Sequence, residues 1–235
     1  MQIVLLFGFG CCLGSFYCVI AERVPKGQSL LLPASRCPHC QHLLRCYELV
    51  PLLSALFLHL RCRYCATSIP PMYLLSELTG GLICPLCFSL GLSDTACYFY
   101  LLLTMGLILS LTDLFYRTVE PNILFFFAAL LLAWHLYFAR PLHFTTAIAT
   151  FTGFCLINTL IHQAIGGGDV LLLSFWALFL GHLPLLLILF TASSSALLYI
   201  LCHQLFTHKK IRQIPFVPFL FFGLLVQISS TLFSF

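Results

Sequence analysis

The chain has 235 residues, of which 61% are hydrophobic and only 8% are charged, with a formal net charge of +4. Soluble domains carry about 25% charged residues, so the composition excludes a water-soluble globular protein. Backbone amides in lipid must be hydrogen-bonded within helices or closed barrels. The apolar runs are continuous and do not alternate as barrel strands do. We therefore predict an all-α polytopic membrane protein embedded in the lipid bilayer.

The apolar runs mark the membrane helices in chain order. They lie at 2–20, 71–91, 96–113, 122–139, 142–165, 170–207 and 214–235. Because a bilayer core needs about 20 apolar residues per helix, each run predicts one helix, except that 170–207 is long enough for two, with a turn at 181–184. The sequence thus predicts about eight transmembrane helices. The first run lacks a basic residue ahead of it and a clear cleavage site, so we expect a retained helix.

The basic residues predict the orientation. Of the 11 lysines and arginines, six lie within 21–70 and three within 208–213. Since such residues concentrate on cytoplasmic loops, we place 21–70 in the cytoplasm and the N-terminus outside. The small net charge is accounted for by this topology, so no nucleic-acid partner is expected. The predicted organisation is a first transmembrane helix (1–20), a cytoplasmic cysteine-rich segment (21–70) and a membrane domain (71–235).

The cysteine-rich segment contains two Cys-x-x-Cys turns, Cys37 to Cys40 and Cys62 to Cys65. Each turn presents two thiolates at a fixed separation, and two turns supply the four corners of a tetrahedral zinc site. A segment of this size has too small a core to fold alone, so a structural zinc ion is physically reasonable. The alternative is four cysteines without a metal, either reduced or linked as disulfides. A reducing compartment disfavours the disulfide-linked form.

Two of the three aspartates lie at the margins of apolar runs, namely Asp113 and Asp169. An ionisable group there costs about 2.5–3.5 kcal/mol on insertion scales, so a functional role is the default hypothesis. The alternation of helices brings both residues to the cytoplasmic face. Two carboxylates that share one proton are what an aspartic protease requires. We therefore predict that Asp113 and Asp169 form a catalytic dyad.

Three glycines, Gly166, Gly167 and Gly168, precede Asp169 directly. Without side chains they permit unusual backbone torsions and let a substrate or a neighbouring helix approach closely. We predict that they position the backbone of the site. A Gly-x-Gly-Asp sequence is also a common turn, and Asp94 is interpreted as such a turn on an outer loop, without function.

Two other classes of protein stay open on this reasoning. A proton-coupled small-solute transporter also carries intramembrane acids, but it should show inverted repeats and acids near the bilayer midplane. The chain has no internal repeat, and both acids map to one face. A zinc-bearing membrane assembly factor without catalysis is the third interpretation.

Six blocks in chain order resemble the type IV prepilin peptidase family, the membrane aspartic proteases with a Gly-x-Gly-Asp motif that process prepilins and pilin-like precursors. The blocks are Gly-Ser-Phe at 14–16 with Arg-Val-Pro at 23–25, the two Cys-x-x-Cys turns, Ser-Glu-Leu-Thr-Gly at 76–80, Asp113 with Pro-Asn at 121–122, Gly-Gly-Gly-Asp-Val at 166–170, and Ile-Pro-Phe-Val-Pro-Phe-Leu at 214–220. The chain departs from the family pattern at Cys18, Glu120, Leu171 and Val217. None of these departures removes a predicted catalytic carboxylate.

The resemblance implies a bacterial cytoplasmic-membrane enzyme that cleaves the leader from pilin, pseudopilin or competence-pilin precursors on the cytoplasmic side, with Asp113 and Asp169 as catalytic residues. It also implies that many cysteine-bearing members methylate the new N-terminal amine with S-adenosylmethionine. No glycine-rich nucleotide fingerprint is present, so methylation rests on the resemblance alone. Glu77 is a candidate for substrate binding or backbone positioning, although capping a helix start is a more ordinary role.

Overall fold

The computed structural model describes residues 1–32, 34–37, 39–89, 91–161, 165–207 and 214–233. The chain divides into two compact units, Met1–Tyr100 and Leu101–Phe235. Within the described ranges the structure is helical, and its β contacts are two isolated bridges, Arg36 to Leu43 and Arg61 to Ser68. The prediction of an all-α protein is confirmed.

The described residues form nine α-helices. They are α1 (Gln2–Arg23), α2 (Leu53–Phe57), α3 (Pro71–Phe88), α4 (Asp94–Tyr116), α5 (Pro121–Tyr137), α6 (Phe144–Leu160), α7 (Gly167–Leu180), α8 (His182–Thr207) and α9 (Val217–Phe233).

All the helices except α2 are apolar and coincide with the predicted runs. By length and composition, α1, α3, α4 and α8 can cross a membrane, and α5, α6, α7 and α9 are shorter apolar helices. The run 170–207 divides at Gly181, where a positive φ of 83° separates α7 from α8. A helix of 14 residues such as α7 is about 21 Å long. This is less than the roughly 30 Å of a bilayer core, and the count of eight membrane spans stays a prediction.

The first unit is built on the close packing of α1 against α3. Glycines permit this contact: a Cβ added at Gly80 would lie 2.6 Å from the Gly10 carbonyl oxygen, and one at Gly14 would meet the Ser76 carbonyl oxygen. The spacing of Gly10 and Gly14 is that of the small-residue motif by which membrane helices approach each other closely. The interface is therefore held by backbone contact and dispersion, because lipid provides no hydrophobic drive for helix association.

Two matching turns organise the cysteine-rich segment between α1 and α3. The N–H of Cys37 donates to the His42 carbonyl at 3.0 Å, and the N–H of Cys62 donates to the Thr67 carbonyl at 2.8 Å. Each of the two bridges closes one of these turns. The same local geometry thus occurs twice, 25 residues apart, as the two Cys-x-x-Cys sequences predict. The division of the chain after residues 20 and 70 stays a prediction.

The second unit has α4 at its centre. Almost every side chain from Leu102 to Asp113 is buried. A Cβ added at Gly106 would meet side-chain atoms of Phe221 on α9 and Trp176 on α7, at 3.0 and 3.5 Å. Around this helix, α6 packs along α7, α8 packs along α9, and α7 contacts α5 and α8. The end of α4 is therefore held firmly, and this end carries Asp113.

The glycine contact between α1 and α3 generates a first prediction. Gly14→Ala places a methyl group against the Ser76 carbonyl, whereas Gly8 has no atom within 4 Å of an added Cβ. We expect Gly14→Ala to destabilise the protein by about 1–3 kcal/mol, the range for overpacking. Gly8→Ala, the matched control on the same helix, should be neutral or slightly stabilising. Unfolding midpoints measured in detergent check this, and equal midpoints for the two variants would contradict the proposed packing.

Candidate active site and metal site

Asp113 lies in the last turn of α4 and is only 7% exposed. A buried carboxylate needs hydrogen-bond donors, and the Val217 N–H donates to Asp113 Oδ2 at 3.0 Å. Val217 is the first residue of α9, and its N–H is one of those that a helix leaves unbonded at its N-terminus. The partial positive charge of that helix end favours a nearby anion. The start of α9 therefore holds the side chain of Asp113 in place.

The sequence pattern does not predict the contact made by Val217. The block 214–220 resembles the family, and Val217 is a departure from the family pattern within it. The contact uses the backbone N–H, so it does not depend on the valine side chain. A signal did exist in the sequence, since Pro215 and Pro218 flank a helix start.

Asp169 lies in the first turn of α7 and is partly buried. Its carboxyl group is close enough to that of Asp113 for their charges to interact. A Cβ added at Gly166 would lie 3.3 Å from Asp169 Oδ2, so the missing side chain leaves room for this carboxyl group. The structure thus brings together the two predicted aspartates within the second unit.

The glycines before Asp169 allow neighbouring groups to pack closely against the backbone. The positive-φ glycines among the described residues are Gly27, Gly91 and Gly181, so the unusual torsions expected at 166–168 are not observed.

Gly168 packs on the segment that joins α4 to α5. A Cβ added there would lie 2.7 Å from the Val119 Cβ, whereas Gly167 has open space around it. Since Val119 follows α4 by only three residues, this contact joins the backbone near Asp169 to the backbone near Asp113.

Asn158 on α6 supports the same region and was not singled out from the sequence. Its amide donates to the Ile165 carbonyl at 3.0 Å, and its Oδ1 accepts from the Ile165 N–H at 2.9 Å. The two bonds satisfy both backbone groups of Ile165, which enters the glycine run. The sequence alone does not predict these bonds, because nothing in the sequence indicates that Asn158 and Ile165, seven residues apart, come into contact.

The four predicted metal ligands converge in the cysteine-rich segment. The sulfurs of Cys37, Cys40, Cys62 and Cys65 all lie within 4.8 Å of one another. The Sγ atoms of Cys37 and Cys65 are 3.8 Å apart, and those of Cys40 and Cys62 are 3.9 Å apart. Zinc–sulfur bonds of about 2.3 Å at tetrahedral angles separate sulfurs by about 3.8 Å. A disulfide needs about 2.05 Å, so the geometry fits a four-thiolate metal site, and the four cysteines form no disulfide in this structure.

Metal binding requires thiolates, and the thiols of the cluster differ in acidity. Against a lowering hydrogen bond from the His42 backbone N–H, burial and hydrogen bonds with the other three thiols raise the pKa of Cys40 to about 11, whereas the pKa values of Cys65 and Cys37 are lowered. Hydrogen bonding with Thr67, through its hydroxyl and its backbone N–H, lowers the pKa of Cys65 to about 6. The backbone N–H of Cys40 lowers the pKa of Cys37. His42 is not part of the cluster and instead packs on Tyr64, with ring centroids 3.6 Å apart.

Glu77 lies in the second turn of α3 and is 8% exposed. Its Oε1 accepts from the Ser15 hydroxyl at 3.1 Å, and its Oε2 accepts from the Leu52 N–H at 2.8 Å. Leu52 has a positive φ of 60° at the start of α2. Glu77 therefore joins α1, α3 and the cysteine-rich segment within the first unit and does not cap the start of α3.

An apolar helical protein in which two carboxyl groups lie near each other at the ends of two helices has features expected of a membrane aspartic protease. Comparison with known families agrees with this class. Residues 8–90 match the bacterial peptidase A24 N-terminal domain, and residues 100–201 match the type IV leader peptidase family.

Individual relatives support the same assignment. Over 181 residues the chain is 32% identical to the prepilin leader peptidase/N-methyltransferase of Bacillus subtilis, covering 75% of this chain and 73% of that protein. It is 31% identical over 208 residues to the type 4 prepilin-like proteins leader peptide-processing enzyme of Escherichia coli, covering 83% and 75%. A match of 51% identity over 80 residues to the Myxococcus xanthus prepilin leader peptidase/N-methyltransferase spans 34% of this chain and 24% of that protein. No solved structure matches the chain.

The chain belongs to the type IV leader peptidase family. The family resemblance predicted from the six sequence blocks is thereby confirmed.

The contact between Gly168 and Val119 generates a second prediction. Gly168→Ala should push the start of α7 away from Val119, because the methyl group has no room, and should reduce peptidase activity about 100-fold, as expected for a displacement of about 1 Å at a catalytic group. Gly167→Ala, its neighbour with open space, should keep activity within about threefold of wild type. Initial rates of precursor cleavage check the pair. Equal rates for both variants would contradict a role of this contact in positioning Asp169.

Proposed function

We propose that this chain is the peptidase that removes the leader from type IV prepilin-like precursors, with Asp113 and Asp169 as its catalytic dyad. The observation that carries the proposal is that the chain belongs to the leader peptidase family and has one aspartate in the last turn of α4 and another in the first turn of α7, near enough for their charges to interact. The names of the Bacillus subtilis and Escherichia coli relatives support the same activity and substrate class.

The dyad acts through one shared proton. The ionised carboxylate takes a proton from a water molecule, and the water oxygen attacks the scissile carbonyl carbon. The protonated carboxyl group donates its proton to the carbonyl oxygen, which gives a neutral tetrahedral intermediate. Transfer of a proton to the amide nitrogen then releases the leader carboxylate and the new amino terminus. Because the titration belongs to the pair, acid and base are not assigned to separate residues.

The proposed site faces the cytoplasm of a bacterial inner membrane. The distribution of basic residues supports this orientation, since six of 11 lie within 21–70. A precursor whose apolar segment lies in the bilayer would present its leader junction at the membrane surface, where water reaches the dyad.

We further propose N-methylation of the new amino terminus, which the names of the Bacillus subtilis and Myxococcus xanthus relatives support. S-adenosylmethionine, when bound, would supply an electrophilic methyl group. The new N–C bond at the amine would replace an N–H bond, and the other product would be the neutral thioether S-adenosylhomocysteine.

The four thiols of the cysteine-rich segment are proposed to hold a structural zinc ion. The ion would join the two Cys-x-x-Cys turns, whose four sulfurs already lie within 4.8 Å of one another.

Substitution of the dyad provides the third prediction. Asp113→Asn and Asp169→Asn should each abolish leader cleavage, because an amide neither accepts the proton of water nor shares a proton with its partner. Co-expression with a precursor carrying a basic leader, followed by mass spectrometry of its N-terminus, measures the cleavage. Asp94→Asn, on an exposed helix start, is the matched control and should cleave normally.

The same mass spectra separate the alternatives. Cleavage that survives in both variants would contradict the dyad. A wild-type protein that folds and cleaves none of several precursors would favour the transporter or the non-catalytic assembly factor. A mass increase of about 14 Da on the cleaved N-terminus, in which one methyl replaces one hydrogen, reports methylation independently of cleavage.

Removal of the metal provides the fourth prediction. Purified protein should contain one zinc ion per chain, measured by inductively coupled plasma mass spectrometry. Chelation should make residues 35–66 sensitive to protease, because the two turns lose the link between them. Cys40→Ser should do the same, whereas Cys12→Ser, an exposed cysteine on α1, serves as the control. A verified metal-free protein with unchanged protease resistance would contradict the structural role of zinc.

A further inference from the structure

The short helix α2, within the cysteine-rich segment, exposes an apolar face. It carries three large apolar side chains at i, i+3 and i+4, namely Leu53, Leu56 and Phe57, which are 52%, 68% and 79% exposed. Residues with this spacing lie on the same face of a helix. Leu49 and Val50, just before α2, are 43% and 40% exposed. This part of the segment therefore presents an apolar surface of the kind that marks a protein or membrane interaction site.

The anchoring of α2 places this face beside the apolar helices of the first unit. The Leu52 N–H, at the start of α2, donates to Glu77 Oε2 at 2.8 Å, and the Ser15 hydroxyl of α1 donates to the other oxygen of the same carboxylate. Glu77 lies six residues after Pro71, where α3 begins, which is about 9 Å along the helix axis. Ser15 lies eight residues before Arg23, where α1 ends, which is about 12 Å. The start of α2 is therefore well inside the ends of both helices.

At this depth α1 and α3 themselves expose apolar side chains. Leu75 and Leu78, close to Glu77 on α3, are 50% and 38% exposed, and Phe16, next to Ser15 on α1, is 45% exposed. Both helices are long and apolar enough to cross a membrane. Exposed apolar side chains on a membrane-crossing helix face lipid. The surroundings at the level of α2 are therefore lipid or the interface between lipid and water.

The charge of the segment fits an anionic surface. Residues 24–70 contain five basic residues and one acidic residue, Glu48. Glu48 is buried. The basic residues are all exposed, namely Lys26, Arg36, Arg45, Arg61 and Arg63. The exposed charges among the described residues of this range are thus all positive, and basic residues beside a membrane attract its anionic headgroups.

We propose that the cysteine-rich segment docks on the surface of the lipid bilayer, with α2 in the interfacial layer. Leu53, Leu56 and Phe57 contact the acyl chains, and the exposed lysine and arginines contact phosphate headgroups. A protein partner fits less well, because it would have to displace lipid from the sides of α1 and α3 to reach this face. The docking goes beyond leader cleavage and does not depend on it.

The experiment places the photoreactive residue p-benzoylphenylalanine in the full chain, in nanodiscs that contain phosphatidylethanolamine and phosphatidylglycerol in equal amounts. On illumination its carbonyl group inserts into a nearby C–H bond, and mass spectrometry identifies the adduct as lipid or protein. The test position is Phe57. Phe9, 61% exposed on α1, is the standard for a side chain that faces lipid, and Tyr64, 41% exposed, reports on the second cysteine turn. Each substitution replaces one exposed aromatic ring with another, so the fold should be kept.

We expect the lipid adduct at Phe57 to match that at Phe9 and to exceed that at Tyr64 by about tenfold, the preference that burial of one large apolar side chain confers. Phosphatidylglycerol should exceed its share in the Phe57 adducts and equal its share in the Phe9 adducts. Arg36→Gln combined with Arg61→Gln should lower the enrichment at Phe57, because two positive charges are lost from the exposed surface.

The proposal is overturned if Phe57 gives mainly protein adducts, which would identify a protein as the partner of α2. It is equally overturned if the lipid adduct at Phe57 is no greater than that at Tyr64 while Phe9 labels lipid. Equal shares of the two lipids at Phe57, or an enrichment that survives the double arginine substitution, would contradict the role proposed for the basic residues.

Discussion

The hydrogen bond from the Val217 N–H to the Asp113 carboxylate is the interaction on which the second unit depends. Asp113 lies in the last turn of α4 and closes the buried stretch 102–113, where an unpaired carboxylate would be strongly unfavourable. The free N–H at the start of α9 satisfies one of its oxygens. The Gly168 contact with Val119 then brings Asp169 near the same helix end. A few backbone contacts thereby place two acids in a protein that has few other charges.

In the first unit, a polar segment is folded between two apolar helices. Backbone contacts at Gly14 and Gly80 hold α1 to α3, and Glu77 joins both helices to the cysteine-rich segment through Ser15 and Leu52. The four thiols gather in the geometry of a tetrahedral site.

Much of the fold was predictable because a chain that spans a bilayer can form only helices or a closed barrel. The apolar runs predicted eight helices, and the break near Gly181 occurs where the turn was expected. The cysteine spacing predicted the cluster because each Cys-x-x-Cys turn fixes its own geometry. The bonds of Val217 and Asn158 were not predictable, since they join residues distant in sequence through backbone groups that any residue type supplies. Glu48 also carried no signal, because its burial depends on how the segment packs.

The central claim is that Asp113 and Asp169 act as a pair with one proton between them. Its most direct test is the pH dependence of kcat/KM for cleavage of a precursor by the purified protein in lipid nanodiscs. A shared proton predicts a bell-shaped profile, because activity requires one ionised and one protonated carboxyl group and falls at both lower and higher pH. A profile that rises once with pH and then stays level, while the protein remains folded, would indicate a single base and contradict the dyad.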